Sequence, residues 1–312
     1  MCKTKASLDL KQLEYFVNVA ELESVTRASI LLGITQPSLS RQIRLLEVEL
    51  RQTLLIRNGR GVQPTEAGAL LVKHARAMLL QAERARREVK ELRGVPTGRV
   101  TIGMPSSVSR FLSTPLAFAF QARFPNAGLS ILEGQTYIME WLSMGRVDLG
   151  VLINPQPLPH MDLVTLLTEP LYLVSANESP EGSDLFGPPV HLKDLANFNL
   201  LLPSRPHAIR IFLESQLSRF GLKLEVAWEL DAFSSMLGLV RKGFGHGVMP
   251  ESVFRGDEMR SQYVLRPIVE PDLISTVAVA TNSARPLSPL AAGVIALMQE
   301  IVGEDGSTGI GH

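Results

Sequence analysis

The 312-residue sequence predicts an α/β protein with an all-α, winged N-terminal head: a winged helix-turn-helix, a long linker helix, and a two-lobed α/β body. Three observations carry that prediction. Helix-period apolar spacing interrupted at Gly33 marks two short helices in tandem, and a heptad repeat fills residues 65–93 without a break. Beyond the repeat, strand and helix patterns alternate, as in an α/β layer. The domains expected are 1–64 for the head, 65–93 for the linker, 97–302 for the body and 303–312 for a flexible tail. Within the body, lobe I takes about 97–168 and 272–302, and lobe II about 169–271.

In the head, Leu10, Leu13, Phe16, Val17, Val19 and Ala20 recur at three-to-four-residue spacing and define one face of a helix from Leu10 to Glu23. Ser24 can cap a second helix, Val25 to Leu32, which Gly33 ends by accepting the left-handed conformation. Thr35 is expected to cap a third helix reaching about Leu50. Pro37 falls in its first turn, where a missing N–H has no intrahelical partner to lose. Leu39, Ile43, Leu46 and Leu50 form the buried stripe of that helix. Gln36, Pro37, Ser38, Ser40, Arg41 and Arg44 are left on or near the other side, and Thr26, at the start of the second helix, is grouped with them. Gln pairs bidentately with adenine and Arg with guanine in the major groove, while Ser hydroxyls suit base edges or phosphates. Next, Leu54-Leu55-Ile56-Arg57 and Arg60-Gly61-Val62 flank Asn58-Gly59, a dipeptide that accepts the positive dihedrals of a two-residue hairpin. This wing presents Arg57 and Arg60 toward a flanking minor groove.

Charge agrees with that assignment. Lys+Arg and Asp+Glu are 31 each, yet residues 1–95 hold 16 basic against 10 acidic side chains and the remainder 15 against 21. A basic head on an acidic body places cations where phosphates would lie. No apolar run of about 18 residues occurs, and Met1 to Leu10 has no secretory-type stretch, so a cytoplasmic chain without a membrane partner is expected. Cys2, the only cysteine, allows neither an intrachain disulfide nor a thiolate cluster, and no cofactor is expected.

From Thr65 to Arg93, Leu71, Ala75, Met78, Ala82, Ala85, Val89 and Leu92 repeat in alternating steps of four and three. Such a 3.5-residue period faces one stripe toward a partner helix and predicts a dimerisation seam, with Glu83, Arg84, Arg86, Arg87 and Glu88 outside it.

The ordered runs Leu13-Glu14-Tyr15-Phe16, Ser24-Val25-Thr26-Arg27-Ala28, Thr35-Gln36-Pro37-Ser38-Leu39-Ser40-Arg41-Gln42-Ile43, Leu54-Leu55-Ile56-Arg57 and Pro64-Thr65-Glu66-Ala67-Gly68 closely resemble the DNA-binding head of LysR-type transcriptional regulators. The resemblance covers about the first 70 residues, and domain order extends it over the rest. Ser29 is a departure, the family commonly having Ala there, and it is small enough to pack. The resemblance implies double-stranded operator DNA as partner, antiparallel pairing of two linker helices, homodimers or homotetramers, and RNA polymerase as a candidate partner. It further implies a body similar to periplasmic binding proteins. Leu202-Pro203-Ser204 to Ala208-Ile209-Arg210, with the wing and Met249-Pro250-Glu251-Ser252, resembles the nitrogen-assimilation-control branch, in which the need for an effector is itself open.

In the body, Val100–Met104, Leu129–Leu132 and Val147–Ile153 alternate with helices near Val108–Arg123 and Tyr137–Met144, predicting a largely parallel sheet. Leu171–Ser175, Leu200–Pro203, Leu224–Leu230 and Gly247–Met249 make a second set, with helices at Ala208–Phe220 and Phe233–Lys242. Ile274–Ala280 and the helix Pro289–Ile301 return to the first lobe. Ligands of open α/β sheets bind beyond the carboxyl ends of strands, near helix N-termini. Those places hold Ser106, Ser107, Gln135, Thr136, Asn154, Ser204, Arg205 and His207. Hydroxyls, amides and one Arg suit a small organic acid, the kind of effector this family commonly senses.

A two-lobed enzyme or a solute-binding protein is the competing reading. Gly243-Phe244-Gly245-His246-Gly247 lies between helix and strand, the wrong order for dinucleotide binding. His74, His160, His191, His207, His246 and His312 show neither metal-ligand spacing nor a nucleophile constellation. A solute-binding protein would lack the helix-turn-helix. The expectation is therefore a regulator with no catalytic residues and no metal.

Overall fold

A computed structural model describes residues 8–58, 61–91, 98–134, 136–178 and 185–306. The chain falls into two compact units, one formed by residues 1–93 and the other essentially by residues 94–312. Arg60, Leu92, residues 94–97, Gln135 and residues 307–312 lie outside the described residues.

The first unit opens with α1 (Leu10–Leu22), α2 (Val25–Leu32) and α3 (Gln36–Leu50). Ser24 accepts a hydrogen bond from the Arg27 amide and Gly33 takes φ +64°. These are the cap and stop that the sequence requires. Thr35 stands at the N-cap of α3 with extended backbone but makes no side-chain cap bond, so its expected capping role is corrected. Leu39, Ile43 and Leu46 are buried, with Leu13, Phe16, Val19 and Leu54 around them. Leu10 and Leu50 stay partly open, because each lies at the fraying end of its helix. Buried Ser29 gives its hydroxyl proton to the Thr26 carbonyl at 2.8 Å, which satisfies the polar group that replaces Ala.

The wing is β1 (Leu55–Asn58) paired with β2 (Gly61–Pro64). Asn58 pairs with Gly61, so Asn58 belongs to the strand and is not the first turn residue of the Asn58-Gly59 reading. The cause is tertiary: the Val62 amide donates to the Glu23 carbonyl at 2.9 Å and pins the start of β2. The Thr65 hydroxyl donates to the Thr53 carbonyl and receives the Gly68 amide, starting α4 (Glu66–Glu91). A Cβ on Gly68 would stand 2.0 Å from the Leu54 carbonyl oxygen, so only glycine lets α4 approach the wing.

The second unit is built on an eight-stranded sheet. Lobe I contains β3 (Arg99–Met104), α5 (Ser106–Arg123), β4 (Gly128–Glu133), α6 (Ile138–Met144) and β5 (Leu149–Ile153). The 16-residue strand β6 (Met161–Ala176) then crosses into lobe II. There follow β7 (Val190–His191), β8 (Leu200–Leu202), α7 (Ala208–Ser218), β9 (Val226–Glu229), α8 (Phe233–Arg241), β10 (Gly247–Pro250) and β11 (Tyr263–Val269). Finally β12 (Ile274–Asn282) crosses back, and α9 (Pro289–Gly306) packs with α5 over β3.

The main sheet runs β4-β3-β5-β12-β6-β11-β7, with β10 also on β6, while β8 and β9 pair separately. The expected largely parallel sheet is corrected to a mixed one. β3 is parallel to β4 and β5, but β12 is antiparallel to both β5 and β6, and β10 and β11 are antiparallel to β6. Two crossing strands, one out and one back, necessarily run opposite ways. α5 begins at Ser106, two residues before the helix expected from Val108. α9 runs through Gly303, because one glycine inside a helix costs only about 1 kcal/mol, so the expected tail is helical as far as Gly306.

Candidate DNA interface and interlobe cleft

On α3, every third or fourth side chain is buried, Gln42 and Glu47 are bonded to neighbouring elements of the head, and most of the others face away from its core. Gln36, Pro37, Ser38, Arg41 and Arg44 are exposed and Ser40 is half-buried; Thr26 on α2 and Arg57 on β1 are exposed as well. Gln12 of α1 bonds Gln42 at 3.0 Å, fixing the rotation of α3 about its axis. Arg41, Arg44 and Arg57 have no ion-pair partner among the described residues, so their charges remain available to an anion.

The expected seam divides in two. Ala75 is 0% exposed in the head core, and Leu71 packs on the same cluster of Leu13, Phe16, Val17, Leu46 and Leu54. These two are thus corrected to core positions of their own chain. Met78 is 38% and Val89 66% exposed, and Ala82 and Ala85 also retain open surface. The heptad signal thus spans two environments, the first half of α4 packing on the head core and the stripe of the second half staying open in the chain itself.

In the second unit the cleft lies between the lobes as three adjoining cavities. One of about 190 Å³ is lined by Pro105, Thr136, Ile153 and Met161 from lobe I and by Pro206 and His207 from lobe II. Ile153 and His207 also line a narrower space of about 40 Å³, together with Ser107, Phe111, Glu169, Asp231, Phe233 and Ser252. Asp231 and Phe233 continue into an outer space of about 580 Å³, with Ser106, Ser109, Arg110 and Glu133. Ser106, Ser107, Thr136 and His207 therefore converge on one cleft.

Asn154 and Arg205 do not line it. Asn154, at φ +48°, receives the Thr276 amide on its side-chain oxygen at 2.8 Å and gives its own amide to the Thr276 carbonyl, joining β5 to β12. Arg205, 69% exposed, pairs with Glu214 at 3.0 Å. Both expectations are corrected: a position at a strand end does not fix where a side chain turns. Ser204 donates its amide and hydroxyl to Asp231 Oδ1 at 2.9 and 2.8 Å.

Burial holds the His207 pKa down at about 4, against a smaller opposing pull from Asp231. Its Nδ1 accepts the Ile209 amide at 3.2 Å, so the neutral ring caps α7. Hydrogen bonds from Ser204 hold Asp231 below the usual carboxylate range. Burial pushes Glu169 up, opposed by the Ser252 hydroxyl and amide at 2.7 and 3.2 Å and by nearby Arg255. Arg110 of lobe I reaches across to the Val253 carbonyl at 3.1 Å and Asp257 at 2.6 Å.

Sequence reasoning passed over Asp231, Glu169 and Ser252. Asp231 follows β9 and precedes α8, so the rule that selected Ser204 selects it too. Glu169 and Ser252 gave no such signal, since one lies inside β6 and the other in a 3₁₀ turn.

Residues 10–69 match the profile of the bacterial regulatory helix-turn-helix protein, lysR family, and residues 93–302 match the LysR substrate binding domain. The nitrogen assimilation regulatory protein nac of Escherichia coli (strain K12) is 32% identical over 297 residues, 95% of either chain. Full-length CbnR in complex with its target DNA has the same fold, with TM-score 0.71 at 22% identity, covering 95% of this chain and 99% of that one. A full-length OxyR variant from Pseudomonas aeruginosa gives TM-score 0.68 at 21% identity over 95% of both chains. Among the described residues no helix is long and apolar enough to cross a membrane. With both profiles spanning most of its length and a relative aligned over 95% of it, the chain belongs to the LysR family of DNA-binding transcriptional regulators, as a nac-like member and not an enzyme.

Proposed function

We propose that the chain works in the cytoplasm as a homo-oligomer that reads an operator with α3, through Gln36, Ser38, Ser40, Arg41 and Arg44, while Pro37 starts the helix. Thr26 and Arg57 contact the flanking backbone or minor groove, with Arg60 beyond the described residues. The observation that carries this is that Arg41 and Arg44, without ion-pair partners among the described residues, stand beside Gln36 on the exposed side of a helix whose other side is fixed in a core. Met78, Ala82, Ala85 and Val89 pair with the same stripe of a second copy, presenting two reading heads to two half-sites.

The cleft receives a small organic acid whose carboxylate approaches Ser106 and Ser107 in the first turn of α5, where backbone N–H groups lack helical acceptors. A ligand bound better by one arrangement of the lobes shifts the population of assemblies and so the DNA output. Likeness to nac supports genes of nitrogen use as targets. Sequencing of DNA recovered with the protein tests the whole reading. A shared palindromic operator upstream of a defined operon supports it, and random recovery overturns it.

A further inference from the structure

We propose that the molecule held between the lobes carries an ammonium group that the Asp231 carboxylate of lobe II receives, so that it is a small zwitterion of amino-acid type and not a simple acid. This rests on reading the cleft as the effector site, and it adds the charge at the ligand's other end.

Asp231 faces the cleft on both its narrow and its outer parts. Ser204, the residue whose hydroxyl was expected to meet a ligand carboxylate, instead points that proton and its amide at Asp231 Oδ1, at 2.8 and 2.9 Å. Oδ1 is thereby oriented, and Oδ2 accepts no hydrogen bond among the described residues. An anion brought to Ser204 would meet a carboxylate already holding both donors.

The cations nearby are committed elsewhere; Arg255 lies over the Phe111 ring, 5.8 Å from its centroid, beside Glu169. Arg110 lines the outer space but gives its guanidinium to Asp257 at 2.6 Å and to the Val253 carbonyl. Arg205 is paired with Glu214 at 3.0 Å. His207, the other titratable neighbour, is neutral near pH 7 because burial lowers its pKa to about 4. A carboxylate fixed in orientation and without a cationic partner among the described residues is complementary to a ligand that brings one.

The opposite wall offers donors, the Ser106 and Ser107 hydroxyls and the first-turn N–H groups of α5, beside the Glu133 carboxylate that also lines the outer space. Ser106, in the first turn of α5, lines the outer space with Asp231, and Ser107 lines the narrow one with it. A carboxylate at α5 and an ammonium at Asp231 would thus bridge lobe I to lobe II. Between them Phe111, Phe233 and Met236 offer an apolar wall, which suits a short hydrocarbon, thioether or single-ring side chain.

The test uses full-length protein and calorimetry with L-alanine, L-leucine, L-methionine and L-phenylalanine, each beside its deaminated carboxylate and its decarboxylated amine. At least one amino acid is expected to bind about tenfold or more tightly than either counterpart. Asp231→Asn, which keeps an acceptor for Ser204, should abolish that preference while leaving carboxylate binding unchanged or improved; Ser107→Ala should weaken the amino acid and the carboxylate alike. Equal or tighter binding of the deaminated carboxylates to the wild type overturns the ammonium while leaving the cleft in place, provided Ser107→Ala weakens them. Binding indifferent to both substitutions overturns the cleft as well, and so does absence of binding by all probes at 10 mM, a concentration well above the ordinary range for metabolite sites. The wild-type comparison stands even if either variant folds poorly.

Discussion

The two units hold their candidate sites in different ways. The head offers one helix, α3, whose buried Leu39, Ile43 and Leu46 determine by simple rotation which residues face outward. The body assembles its cleft from the ends of several strands and from two crossing strands, so each lining residue depends on a tertiary decision. A local site tolerates being read as a periodicity, whereas an assembled one requires knowing which way each loop turns. Changes on the head should therefore alter DNA binding without altering the ligand site, and changes in the cleft should alter ligand binding or body stability and reach the DNA only through the ligand.

The largest expected effect tests where the head ends. Ala82 and Ala85 lie on α4 beyond the part that packs into the head core and are not fully buried in the chain itself. Replacing both with Glu should leave the monomer folded yet put like charges into a paired seam, at a cost of several kcal/mol to association. Light scattering at micromolar concentration should report monomers, with specific DNA affinity falling together with the dimer. A variant that stays dimeric would move the seam away from α4.

His207→Asn tests the cleft as a stability element. In the folded chain this histidine stays neutral down to about pH 4, while an unfolded one protonates near 6.5. A depressed pKa contributes stability that is present above 6.5 and is lost as pH falls toward 4, by at most about 3 kcal/mol. Asn can still cap α7 but cannot titrate. Glu169 runs the other way: its raised pKa gives a contribution present below the ordinary 4.5 and lost as pH rises through the folded value. Both tryptophans, Trp141 and Trp228, are in the body, so fluorescence follows that unit without the head. Urea unfolding between pH 4 and 7 should show a larger acid-side loss in wild type than in His207→Asn, the remainder coming in part from His246, whose pKa burial also lowers; parallel losses would reject a buried neutral His207.

Arg41→Ala should cost about 1–3 kcal/mol on the specific operator and relax preference at one base, with ligand response untouched. Equal losses on specific and scrambled duplexes would recast Arg41 as a phosphate contact.

Much of the head was legible because its signals are short-range. Ser24, Gly33 and the heptad spacing each act within a turn or two. Asn58 went to the strand and not to the turn because Glu23, nearly 40 positions away, holds Val62. In the body, β3, β4 and β5 declared themselves through apolar runs, but the first half of β6 did not. Asp162, Thr165 and Thr168 interleave with its apolar residues, since this stretch is partly open between lobes. Missing it hid the outward crossing, and with it Glu169 at the floor of the cleft. Asn154 and Arg205 were drawn to the site by position alone, and their partners, Thr276 and Glu214, could not be inferred from the spacing of strands.

The smallest effect separates two kinds of contact within the head. Arg57 is exposed on β1 and has no ion-pair partner among the described residues, but a wing residue approaches DNA at the edge of the site, where the backbone or a narrow groove is presented, not a full set of base edges. Its contribution should then be electrostatic and depend little on sequence. For Arg57→Ala the expected loss is below about 1 kcal/mol at physiological salt, nearly the same on specific and scrambled duplexes. The slope of log affinity against log salt should fall by about 2, about one released counterion at each of the two half-sites, while Arg41→Ala leaves a larger and sequence-dependent deficit at every salt concentration. Titrations at 50, 100 and 200 mM salt on both duplexes measure the two terms separately. A specificity change from Arg57→Ala as large as that from Arg41→Ala would make the wing a base reader, and the reading surface of the head would no longer be a single helix.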